Sequence, residues 1–145
     1  MTSSKLHALL GLLLLVAGFL FDFGFVTTTQ NFSESLTNQS PRYLWRMYAY
    51  DLARFYFFAL GFLNIALALL NYRFAIDERI ERTLLGLVGG GSILFLGGGL
   101  WEARIGPVFK MEPPCYVLGV GLFAILLGLV LRSYVLIRLQ RVAAP

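Results

Sequence analysis

Residues 50–71 read YDLARFYFFALGFLNIALALLN, a run apolar enough to cross a bilayer that nevertheless carries Arg54, Asn64 and Asn71. On a helical projection with Gly61 at zero, Arg54 falls near about +20°, Ala68 near about −20°, Asn64 near about −60° and Asn71 near about −80°. The polar and small residues thus share one stripe, and most of the bulky Phe and Leu side chains take the rest. A charge facing hydrocarbon without a partner costs several kcal/mol, so this stripe must face protein or water. The helix is one member of a bundle.

Composition agrees. The chain has 145 residues, 58% hydrophobic and 14% charged, with mean hydropathy +0.73. A soluble domain carries about 25% charged residues, so the class here is membrane, with the apolar residues in blocks rather than alternating. A single cysteine, Cys115, excludes an internal disulfide, a CxxC pair and any multi-cysteine metal site. A single histidine, His7, excludes bis-histidine haem ligation within one chain.

Four windows have the length a hydrocarbon core of about 30 Å demands: residues 6–26, 51–71, 83–101 and 115–136. The expected fold is therefore an all-α integral membrane protein: one four-transmembrane-helix bundle covering residues 1–145, with short loops. The first run lacks an A-x-A cleavage site and continues through FLFDFGFV, so it reads as a retained helix rather than a signal peptide. Ser40-Pro41 supplies an N-cap followed by proline at the first helical position, which starts an interfacial helix before the second span. Its Tyr43, Trp45, Tyr48 and Tyr50 suit the membrane–water boundary. Asp77 is placed to cap the third helix, and Glu78 and Arg82 form an i,i+4 pair.

With the N-terminus cytoplasmic, the inside carries Lys5, Arg73, Arg79, Arg82, Arg132, Arg138 and Arg141, against Arg42, Arg46, Arg54, Arg104 and Lys110 outside. The bias puts both termini in the cytoplasm, in a cell or inner membrane. Two Asn-x-Ser sequons, at Asn31 and Asn38, then fall in the first outer loop.

Lipid provides no hydrophobic drive between helices, so close packing on small residues must join them. The third span holds Gly86, Gly89, Gly90, Gly91, Gly97, Gly98 and Gly99; Gly86 and Gly90 form a GxxxG pair, and Gly90–Gly97 and Gly91–Gly98 recur at seven. These are grooves within one bundle or a face for a homo-oligomer or larger membrane complex.

Asp22 shares a helix face with Gly11 and Gly18, and Glu102 follows Gly91 and Gly98 on another. Topology puts Asp22, Asp51, Arg54, Glu102 and Arg104 at similar depth on one side whatever the orientation. A bidentate bond from Arg54 to Asp22 or Glu102 would satisfy both. This cluster is either a clamp fixing helix register or a site for a proton, cation, polar substrate or lipid headgroup. Asn64 and Asn71 read as interhelical hydrogen-bonders, Cys115 as a packing residue and His7 as an interfacial one. Arg132, Arg138 and Arg141 read as contacts to anionic headgroups.

The chain carries no P-loop, GxSxG, HExxH or dinucleotide fingerprint, and no catalytic residue, metal or cofactor is expected. The function this favours is a non-enzymatic accessory or interaction subunit packing through Gly-rich helices, with the lipid bilayer as its surroundings and no nucleic-acid partner. One alternative is a small oligomeric transporter with Asp22 or Glu102 as coupling carboxylate opposite Arg54. Another is a lipid-modifying enzyme at the outer interface.

Overall fold

The computed structural model describes residues 2–29, 41–74, 76–105 and 112–143. Among them there is no strand. The helices are α1 (Ser3–Thr29), α2 (Pro41–Phe74), α3 (Glu78–Leu84), α4 (Gly90–Ile105) and α5 (Pro113–Ala143), with a π-helical turn at Leu85–Gly89 joining α3 to α4 in one rod. The four resulting rods are each long and apolar enough to cross a membrane. The expected interfacial helix is the first part of α2, continuous with the second span. Asp77 caps α3 by accepting from the Arg79 amide at 3.1 Å, and Arg82 lies 3.8 Å from Glu78. The sequons at Asn31 and Asn38, and Ser40, lie outside the described residues.

Small residues decide which rods touch. A Cβ on Gly11 would come within 2.7 Å of the Gly61 carbonyl, so α1 and α2 meet backbone to backbone. The same holds for α4 and α5, where a Cβ on Gly91 would lie 2.8 Å from the Gly121 carbonyl and one on Gly98 2.7 Å from the Leu118 amide. Overpacking at such contacts costs about 1–3 kcal/mol. The two hairpins then join mainly through α2 and α4, where Tyr56 and Phe95 stack edge to face with centroids 4.8 Å apart. Leu14, Leu60, Phe95, Leu96 and Ile125 form the buried apolar centre.

The remaining surface is unusually apolar. Leu12, Leu13, Phe19, Leu20 and Phe23 on α1, and Tyr116, Val120, Phe123, Val130 and Tyr134 on α5, are each more than half exposed. A water-soluble chain would not leave such continuous stripes open, whereas lipid tails cover them at no cost.

The π turn falls where Gly86, Gly89, Gly90 and Gly91 leave room for a wider coil. One inserted residue rotates the C-terminal part of the rod by about 100° relative to a regular helix. Glu81 and Leu84 before the turn and Ser92 and Phe95 after it are all buried.

Candidate functional site

Polar groups gather at both ends of the bundle. The distal end, where α1 finishes and α2 begins, holds the charges singled out in the sequence. Arg54 donates through Nη1 to Asp22 at 2.9 Å and reaches Asp51 through Nη2 at 3.3 Å. The side chains of Arg54, Asp22 and Asp51 are 41, 37 and 61% exposed, so the triad is open on one side. Arg54 therefore uses both of its terminal nitrogens on carboxylates from α1 and from its own helix.

Glu102 and Arg104 do not join it. Glu102 accepts a hydrogen bond from the Cys115 thiol at 3.4 Å, bridging α4 to the first turn of α5. Arg104 is exposed and borders a groove with Phe21 and Tyr50. Among the described residues neither makes an ion pair. The physical reason is angular. Glu102 follows Gly98, and Gly98 faces α5 rather than α1 or α2.

The terminal end, where α1 begins and α2 finishes, holds a sealed network. His7, Asn64 and Ser92 are completely buried. Asn64 Oδ1 meets His7 Nδ1 at 2.9 Å; its Nδ2 donates to the Leu60 carbonyl at 2.9 Å and toward Ser92 Oγ at 3.3 Å. Ser92 in turn donates to the Val88 carbonyl at 2.7 Å, just inside the π turn. Nearer the helix ends, Ser3 donates to Glu78 at 2.9 Å and Ser4 to the Ala68 carbonyl at 3.0 Å.

Arg132 completes this end. It is 3% exposed and donates through Nη2 to the Leu67 carbonyl at 3.3 Å, within electrostatic reach of Glu81 and His7. Its Nε and Nη1 are buried without a hydrogen-bond partner among the described residues, as are both amide atoms of Asn71 and Nε2 of His7.

Three sequence expectations change here. His7 is a core residue, not an interfacial one. Arg132 is buried against α2 rather than extended to headgroups. Asn64 bonds across helices as expected, but Asn71 makes no hydrogen bond among the described residues. Glu81, Ser3 and Ser92 do not stand out in the sequence at all.

The missed residues had a legible signal. Ser3, His7, Gly11, Leu14 and Gly18 are all buried at spacings of four, four, three and four along α1. Gly121, Ile125, Gly128 and Arg132 are likewise buried at four, three and four along α5. The glycine-face argument that turns Asp22 inward applies equally to His7 and Arg132.

The third span's glycines divide. Gly89, Gly91 and Gly98 press against Leu10, Gly121 and Leu118, whereas a Cβ on Gly86, Gly90 or Gly97 would meet nothing within 4 Å. Gly97 borders a groove of about 530 Å³ between α1, α2 and α4, lined also by Phe21, Tyr50, Leu100, Trp101 and Arg104. Ile93 and Trp101, one turn either side of Gly97, are 58 and 47% exposed. No protein-family model matches this chain, and no curated protein or solved structure matches it either.

Proposed function

We propose that the protein is a non-enzymatic membrane subunit that docks a spanning helix, from a second copy or from a larger complex, along the Gly86–Gly90–Gly97 face. The observation that carries this is the empty space beside those three glycines, on a rod whose other interior glycines are in backbone or side-chain contact. Within a bilayer, helices associate where small residues let backbones approach, and the GxxxG pair Gly86–Gly90 is such a place. The adjoining groove supplies the second wall, and Arg104 at its distal end gives the incoming helix a positive group to match.

The bundle is proposed to sit in a cell or inner membrane with both termini cytoplasmic, following the Lys and Arg bias. The coupling-acid arrangement of a transporter is supported less well. Asp22 does sit opposite Arg54, but Arg54 is shared with Asp51, and Glu102 is turned toward Cys115.

Extraction from native membranes in mild detergent tests the docking reading. Wild type is expected in a particle larger than a single 16.2 kDa chain in its micelle. A Gly86→Leu/Gly90→Leu variant is expected at single-chain size with its thermal midpoint unchanged. A wild type that runs alone and monodisperse, or a variant that stays in the large particle, overturns the reading.

A further inference from the structure

From a second cavity at the distal end, we infer a binding site for an alkylammonium group, with Glu102 as its counter-ion. The cavity lies between α2, α4 and α5 and measures about 280 Å³. Trp45, Tyr48 and Tyr56 from α2 and Phe95 from α4 contribute its aromatic walls, and Glu102 and Cys115 contribute its polar edge. The Trp45 indole N–H has no hydrogen-bond partner among the described residues.

Chemistry narrows the occupant. The Glu102 carboxylate has a thiol as its hydrogen-bond partner and no ion pair among the described residues; Lys110 lies outside them. An anion would be repelled, and a neutral apolar molecule would leave the carboxylate uncompensated in an apolar wall. A bare divalent cation needs several oxygen ligands, and no group of three His, Cys, Asp or Glu is assembled among the described residues. A diffuse organic cation meets every feature at once. Its charge pairs with Glu102, its alkyl groups fill the apolar volume, and the rings favour it through their negative faces.

Depth fits the same class. Trp45 and Tyr48 lie in the first turns of α2, and Glu102 lies in the last turn of α4. The site therefore opens near the membrane boundary, where choline and ethanolamine headgroups and free amphipathic amines both present an ammonium group.

The test uses full-length Trp101→Phe protein, so that Trp45 is the remaining fluorophore, in phosphatidylglycerol nanodiscs titrated with benzyltrimethylammonium. Saturable quenching is expected. Glu102→Gln should weaken the Kd by about tenfold or more, Tyr56→Leu by about threefold or more, and Glu102→Asp should retain binding. Neopentylbenzene, the neutral isostere, should bind about tenfold more weakly or worse. A second pair of nanodiscs holds the phosphatidylglycerol fraction constant, so that the surface charge does not change, and makes up the remainder with either phosphatidylcholine or an uncharged glycolipid. A weaker affinity with phosphatidylcholine identifies the lipid headgroup as the resident ligand, and an equal affinity identifies a free amine. The inference is overturned if quenching does not saturate, or if the neutral isostere binds as tightly as the cation. It is also overturned if the folded Glu102→Gln protein, or Tyr56→Leu should that variant not fold, binds as wild type does.

Discussion

At the distal end Arg54 and Asp22 pair with 41 and 37% of their side chains exposed, whereas at the terminal end His7, Asn64 and Ser92 are enclosed on every side. The distal triad is made of full charges, and the terminal network is mostly neutral groups held within hydrogen-bonding distance. An open ion pair gains little, because solvent and headgroups compete for both partners. A sealed amide or imidazole has no competing partner, so each bond it makes must be replaced if it is broken. The end that looks most polar in the sequence is thus the weaker constraint on the fold.

The largest test of that contrast is Asn64→Leu. It strands His7 Nδ1 and removes the link to Ser92, and buried groups left unsatisfied cost about 1–3 kcal/mol each. A loss of about 2–3 kcal/mol is expected in reversible unfolding, with the double variant His7→Leu/Asn64→Leu recovering part of it. If Asn64→Leu destabilised no more than Asp22→Asn, the contrast between the ends would collapse.

A medium effect separates the glycine faces of the third span. Gly91→Val drives side-chain carbons into the Gly121 carbonyl and should cost about 2 kcal/mol. Gly90→Val meets open space and should stay within about 0.5 kcal/mol, measured on the single chain in detergent. The smallest effect belongs to Asp22→Asn, which should cost under about 1 kcal/mol and less still as salt is raised.

Much of the architecture was legible in the sequence because lipid imposes strict demands. Twenty-residue apolar windows placed the helices, and the side shared by Asp22 and Arg54 followed from topology alone. The site was legible only in part. Charge drew attention to Glu102 and Arg104 as members of one cluster, but the angle set by Gly98 carries Glu102 to α5. His7 and Arg132 looked like boundary residues because they stand near the start of α1 and toward the end of α5. Their place on the buried faces that run through Gly11 and Gly128 outweighed their nearness to the helix ends. Asn71 carries no such signal of its partners: both its amide atoms are buried with no hydrogen bond among the described residues.

The docking face admits the most direct measurement. A photo-crosslinking side chain is placed at Ile93, beside the empty glycines, and separately at Phe123 on α5, both of them exposed on the isolated chain. After irradiation in native membranes, the protein with the probe at position 93 is expected to shift to the mass of a protein–protein adduct, and that with the probe at position 123 to carry lipid alone. Lipid alone at position 93, or equal protein adducts at both positions, would contradict the account.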